Sequence, residues 1–293
     1  MRVAVIGLGT MGMGAAQNLA KTEGLEVTGV DPRAEARTAF GAAVANGAAL
    51  PDGQDAALVF VVNAAQARDA LFGPNGAAPH LAPGAVCIVS STMSPADARA
   101  LAASAEALGL LYLDAPVSGG AVGAASGQMT VMASGSDDAF AKSAPVLAAI
   151  SKRVFDMGRA PGLGTTMKVV HQLLAGVHIA AAAEAMALGL KAGIDGQTLY
   201  DVVTTAAGNS WMFQDRMAHV LAGDDTPKSA VDIFVKDLTL VTDMARAENL
   251  PVPLAAQAMQ LFVAARGMGQ GGRDDAFVIR VWEAMAGVTL PKP

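Results

Sequence analysis

With 293 residues, the chain exceeds what one ordinary hydrophobic core uses, and two domains are expected. Its residues are 53% hydrophobic but only 4% aromatic, so the apolar mass is aliphatic and suits close-packed helices with large buried interfaces. A net charge of −6 without a basic cluster excludes a nucleic-acid-binding surface, and a single cysteine, Cys87, excludes a disulfide framework within the chain.

The first predicted element is a strand at residues 2–6, which runs directly into Gly7-Leu8-Gly9-Thr10-Met11-Gly12 and a helix to residue 21. Gly7 allows the tight turn, Gly9 lets the backbone approach a pyrophosphate, and Gly12 lets helix and strand pack closely. The helix N-terminus offers free N–H groups to phosphates. A second strand at 26–30 ends at Asp31, followed by Pro32 and Arg33. A carboxylate there accepts hydrogen bonds from the adenosine ribose and repels a 2′-phosphate, which favours NAD over NADP. Arg33 is the opposing signal: it can receive a 2′-phosphate, stack on adenine or stay solvated. The six residues from Gly7 to Gly12, with Asp31, Pro32 and Arg33, form the candidate cofactor site. A turn this early leaves no room for a cleavable apolar leader, and a cytoplasmic protein is expected.

Further strands are predicted at 57–62, 85–90, 111–115 and 128–134, with helices at 34–40, 64–71 and 95–108. This alternation predicts right-handed crossovers and a mostly parallel sheet. Ser94 before Pro95 and Asp97 reads as a helix cap. In such a sheet, ligands sit beyond the carboxyl ends of strands. Thr92, after the Cys87 strand, is placed to hold a ribose hydroxyl or substrate, or else caps a turn. Ser118 with the Gly119 and Gly120 amides can form a nest for a small carboxylate, or be an ordinary glycine loop.

From residues 160–164 onward strand signals fade, giving expected domains at 1–162 and 163–293. A helix at 165–192, stopped by Gly193, is apolar almost all round and must be covered on several sides. An extensive interface between copies follows from that, and its breaks at His178 and Glu184 argue for a buried helix and against a membrane span. Lys168 sits one turn into this helix, where a charge has little structural purpose. A lysine there can accept a hydroxyl proton as hydride leaves the carbon, or can snorkel to solvent. His171 lies three residues on, on the same face. Helices follow at 195–206, 212–221, 234–248, 254–266 and 276–286, with Gly267 as a stop and Asp232 as a cap. Asn209 and Trp211 interrupt two of them, and Lys236 with Asp237 starts another. A second lysine near the first would lower its pKa by like-charge repulsion; a solvated Lys236 and a core Trp211 are the plain alternatives. No metal site is expected.

In order, GLGTMG, SSTMSP, DAPVSGG, GLGTTMK and FVKDL resemble the β-hydroxyacid dehydrogenase family over essentially the whole chain. The resemblance implies a doubly wound Rossmann-type α/β domain joined to an all-α domain that makes homodimers or homotetramers. It implies Lys168 as the catalytic lysine, with Ser118, Gly119 and Gly120 binding the substrate carboxylate. Val62, Asn63, Thr92 and Lys236 then lie by the cofactor, and His171, Asn209, Trp211, Lys236 and Asp237 surround a small hydroxy acid. Two positions depart from the family pattern. His171 replaces an asparagine, and Val62-Asn63-Ala64 replaces Met-Leu-Pro. Residues 168–186 and 206–238 resemble the branch that uses NAD to oxidise the C2 hydroxyl of L-threonate to 2-oxo-tetronate. Histidine at 171 suits such a polyhydroxylated substrate. Other expectations are 3-hydroxyisobutyrate oxidation, tartronate semialdehyde reduction, or a non-catalytic dinucleotide-binding module.

Overall fold

The computed structural model describes residues 1–291, which divide into two compact units that part after Lys168. In the first unit, β1 (Arg2–Ile6), α1 (Thr10–Ala20), β2 (Glu26–Val30), α2 (Ala34–Phe40) and the short β3 (Ala43–Val44) form one half of the sheet. The other half contains β4 (Gln54–Val59), α3 (Ala64–Phe72), β5 (Leu81–Val89), α4 (Pro95–Glu106) and β6 (Leu111–Asp114). The unit continues through β7 (Val117–Ser118), α5 (Gly120–Ala125), β8 (Met129–Gly135), α6 (Asp137–Ile150) and β9 (Ser151–Asp156).

Strands β3-β2-β1-β4-β5-β6 are all parallel; β8 joins β6 antiparallel and carries β7 and β9. The sheet is therefore Rossmann-type and mostly parallel, as expected, and its order reverses between β1 and β4. Ligands bind at such a switch point. Val3, Val5, Leu58, Ile88 and Leu113 fill one face, with Ala15, Ala16 and Leu19 of α1 packed on it. Ser94 caps α4 as predicted, its hydroxyl accepting from the Asp97 amide.

Several elements differ from the sequence reading. Strand β4 begins and ends three residues earlier than 57–62, because it pairs with β5 from Gln54 and with β1 from Ala56 to Val59. Residues 60–62 become the turn at the switch point instead. Helix α6 was not expected, although Ser136 accepts from the Ala139 amide and Asp137 and Asp138 occupy the first turn; Pro145 inside it hides the pattern. Strand β9 is mostly exposed and carries Lys152 and Arg153, so it lacks an apolar run.

The second unit is helical. It holds most of α7 (Leu163–Lys191), then α8 (Gly196–Thr205), α9 (Trp211–Ala222), α10 (Val231–Ala247), α11 (Pro253–Ala265) and α12 (Arg280–Ala286). Ile179, Ala183 and Met186 of α7 meet Met217, Phe234, Leu238 and Phe262 in its core, where Phe234 and Phe262 stack at 5.3 Å. Gly193, at φ +88°, follows the end of α7 as expected. By length and composition α7 could cross a membrane, but half of its most apolar window is buried within the chain. Helix α10 starts at Val231, so Asp232 lies in its first turn and pairs with Arg266 at 2.6 Å, and does not act as the cap. Gly267 does not stop α11: a π-turn covers Arg266–Gln270, with Gly269 as its left-handed residue. The predicted helix at 276–286 is a 3-10 turn, Asp275–Ile279, followed by α12. Beneath it, fully buried Asp275 holds Arg216 at 2.5 and 3.1 Å, and Asp215 also pairs with that guanidinium.

Candidate active site

The turn after β1 is shaped by contacts that exclude side chains. Gly7 has φ +91°, and a Cβ there would sit 2.3 Å from the Phe60 carbonyl oxygen at the end of β4. A Cβ on Gly12 would sit 1.8 Å from the Gly7 oxygen. Gly9 is different: its φ is −72°, and a Cβ there would meet nothing within 4 Å. The folded chain itself does not demand glycine at this position. Open space beside a helix N-terminus with no side-chain cap and no acid in its first turn fits close approach by a pyrophosphate.

Asp31, at the end of β2, is buried and accepts from the Leu8 amide at 2.8 Å. Its other contacts come from Arg33: the amide at 2.9 Å, and Nε and Nη2 of the side chain at 3.0 Å each. Burial alone would raise this carboxyl's pKa, but the Arg33 side chain and the two amides outweigh it and hold it below the ordinary value. Arg33 thus sits on the Asp31 carboxylate, and Arg37 bonds the Asp31 and Pro32 carbonyls beneath it.

The remaining strand ends collect other predicted residues. Val62 is exposed, and its amide donates to Gln66. The Asn63 side chain caps α3 by accepting from the Gln66 amide at 2.9 Å. Ser91 accepts from the Val61 amide at 3.1 Å, which ties the ends of β4 and β5 together just before half-buried Thr92. Ser118 ends β7 half-buried, and Gly119 (φ 131°) and Gly120 (φ 59°) turn the chain into α5. Cys87 is fully buried, and burial pushes its thiol up to about 12, so it is chemically inert here.

Lys168 is 7% exposed. Its helix turn is fixed by Asp114, a residue that the sequence reading did not single out. Asp114 Oδ2 accepts from the Gly162 and Thr165 amides at 3.0 and 2.8 Å, and Oδ1 accepts from the Thr165 hydroxyl at 2.6 Å. Ser134 donates to Asp114 at 3.2 Å and accepts from the Gly164 amide at 3.0 Å. Burial raises the Asp114 pKa above the ordinary value despite these bonds. The α7 N-terminus is thereby anchored to the ends of β6 and β8, which explains why the compact units part after Lys168.

In the second unit, His171, Gln172, Lys236 and Asp237 come together. Gly176 makes this possible: a Cβ there would lie 2.8 Å from Leu238, so α7 and α10 approach closely one turn beyond Gln172. Gln172 is buried and donates to buried Asp237 at 2.5 Å; Lys236 pairs with Asp237 at 2.9 Å, and His171 Nδ1 lies 2.9 Å from Gln172 Oε1. Gln172 was also missed, although it stands at i+4 from Lys168, the same-face spacing that drew attention to His171 at i+3. Asn209 donates to the Thr204 carbonyl at 3.2 Å, and its buried Oδ1 has no hydrogen-bond partner among the described residues. Trp211 opens α9 with 63% of its surface exposed, so it is not a core residue of the chain. Among the described residues no cluster of metal-ligating side chains occurs.

A Rossmann-type sheet with this turn at its switch point, followed by a helical unit, defines a dinucleotide-dependent oxidoreductase. Residues 2–158 match the NAD-binding domain of 6-phosphogluconate dehydrogenase, and 162–282 match the NAD-binding domain of NADP-dependent 3-hydroxyisobutyrate dehydrogenase. The chain is 53% identical to L-threonate dehydrogenase of Escherichia coli K12 over 99% of its own length and 96% of that protein. It is 51% identical to the enzyme of that name from Cupriavidus necator, over 99% and 97%. A crystal structure of 3-hydroxyisobutyrate dehydrogenase from Salmonella typhimurium superimposes with a TM-score of 0.91 at 52% identity, covering 96% of this chain and 99% of that one. The chain belongs to the β-hydroxyacid dehydrogenase family and is an NAD-dependent enzyme.

Proposed function

We propose that this enzyme oxidises the C2 hydroxyl of L-threonate to 2-oxo-tetronate, with Lys168 as the general base. Lys168 itself carries the mechanistic reading: a nearly buried amine on a helix turn that Asp114 and Ser134 hold in place. The full-length identity to L-threonate dehydrogenases supports the substrate. NAD, when bound, supplies the hydride acceptor. The turn from Gly7 to Gly12, Asp31 to Arg33, Val62, Asn63, Thr92 and Lys236 would hold it. Ser118, Gly119 and Gly120 anchor the substrate carboxylate, and His171, Asn209, Trp211, Lys236 and Asp237 contact its hydroxyls. Lys168 Nζ takes the C2 hydroxyl proton as the C2–H bond breaks with both its electrons.

We further infer a cytoplasmic enzyme, with a cofactor domain at 1–162 and a helical domain at 163–293 that pairs copies into dimers or tetramers. Leu163, Met167, Val170 and Leu174 form an exposed apolar stripe along α7, which supports that pairing. A second reading, 3-hydroxyisobutyrate oxidation, is favoured by the Salmonella structure. NAD reduction across L-threonate, 3-hydroxyisobutyrate and D-glycerate separates the two, and preference for either of the latter overturns the proposal. Lys168→Ala should retain NADH binding yet lose about 10²–10⁴-fold in turnover. Undiminished turnover removes the lysine from the mechanism.

A further inference from the structure

Four side chains of the second unit are joined end to end, and each link constrains the next. Asp237, 2.9 Å from the Lys236 ammonium, is a carboxylate and only accepts hydrogen bonds. Gln172 must therefore turn its NH₂ toward Asp237, because the flipped amide would set two acceptors 2.5 Å apart. That orientation leaves Oε1 of Gln172 facing His171 Nδ1 at 2.9 Å. An amide oxygen only accepts, so Nδ1 must carry a proton. A neutral imidazole has one N–H, and its other nitrogen, Nε2, then keeps its lone pair.

We propose that Gln172, held by Asp237 and Lys236, is a positioning residue that fixes His171 as the Nδ1–H tautomer, making Nε2 a hydrogen-bond acceptor for a substrate hydroxyl. Histidine side chains in water favour the opposite, Nε2–H, form, so the tautomer is imposed by the fold. Adjacent residues on a helix do not normally face each other. The bond from His171 to Gln172 exists because the long glutamine side chain is pinned from its far end by a residue on α10. Burying an amide and a carboxylate in an apolar helical core is costly unless they are paired; Gln172 bonds one oxygen of Asp237 and Lys236 pairs with the other through charge, which offsets that cost. An acceptor at Nε2 selects a hydroxyl donor over an alkyl group. A site built to bond a hydroxyl strongly rejects the analogue that lacks it. The substrate side of this inference rests on the placement of His171 in the substrate site proposed above; the tautomer does not.

The test is nitrogen NMR on the full chain labelled at its four histidines, with His171 assigned by comparison with His171→Asn. Above the pH at which the imidazole is neutral, the proton is expected on Nδ1, with Nε2 bare. A bare Nδ1 in the wild-type protein overturns the proposal, whatever any variant does. Gln172→Leu removes the acceptor and should return the ring to the Nε2–H form. The same change should raise KM for the polyhydroxylated acid about tenfold or more, by a larger factor than it lowers kcat. It should also shrink the wild-type preference for that acid over its 3-deoxy analogue. A Gln172→Leu protein with unchanged tautomer and unchanged preference overturns the assignment of Gln172. If His171 shows the Nδ1–H form but the enzyme does not oxidise L-threonate, the proposed substrate fails and the tautomer assignment stands.

Discussion

In the first unit, the buried carboxylates of Asp31 and Asp114 are satisfied in large part by backbone N–H groups, those of Leu8, Arg33, Gly162 and Thr165. In the second, Asp237 and Asp275 are held by the side chains of Gln172, Lys236 and Arg216. The difference lies in what each arrangement requires of the sequence. An amide is present at every non-proline residue, so the backbone share of the first kind, half of its bonds, needs only a chain that follows the right path, while Arg33, Thr165 and Ser134 supply the rest. A carboxylate of the second kind needs one particular partner, and fails when that partner changes.

The largest effect should come from breaking a pair of the second kind. Asp275→Ala leaves the buried Arg216 guanidinium without its main partner and should cost about 3–5 kcal/mol in denaturant unfolding. A loss below about 1 kcal/mol would mean that Asp215 alone suffices, and would blur the contrast.

Asp114→Ala orphans two buried amides and the Thr165 hydroxyl, for a loss on the order of 3 kcal/mol. Because this change also loosens the turn carrying Lys168, kcat should fall more than stability at the assay temperature explains. Asp114→Asn keeps an acceptor oxygen and should recover part of both.

Within the glycine turn, Gly12→Ala forces a carbon against the Gly7 carbonyl and should destabilise by about 1–3 kcal/mol. Gly9→Ala should stay within about 0.5 kcal/mol of wild type, while NADH affinity, read by fluorescence titration, falls at least tenfold. Equal loss of stability in the two variants would show that the fold, and not a ligand, demands both glycines.

The smallest effect is a pH dependence. The Asp31 carboxyl titrates below its ordinary value in the folded chain, so its contribution to stability is present above the ordinary carboxylate pKa and is lost as pH falls through the lower folded value. Thermal unfolding of Asp31→Asn should therefore lose less than wild type on acidification. A parallel acid response would remove Asp31 from the linkage.

The same contrast governs what the sequence discloses. The β1 turn, the Asp31 strand end, the Ser94 cap and the Gly193 stop are legible because each is written within a few residues, in a pattern with one physical solution. Asp114 was half-legible: its place at a strand end is plain, but its partners lie 48 and 51 residues away. Gln172 and Asp237 are 65 residues apart, and Arg216 and Asp275 are 59 apart. No local spacing announces either pair. Helix α6 and strand β9 were obscured for another reason: Pro145 and a run of exposed charged residues mask otherwise ordinary elements.

Gly9 has a consequence for how variation in this enzyme is scored. A library sorted by protein abundance or heat tolerance would rank alanine at this position as harmless, since nothing in the chain collides with it. The same library sorted by growth on the substrate would rank it among the damaging changes. The gap between the two rankings, taken position by position, would trace the outline of the cofactor on the surface of the protein.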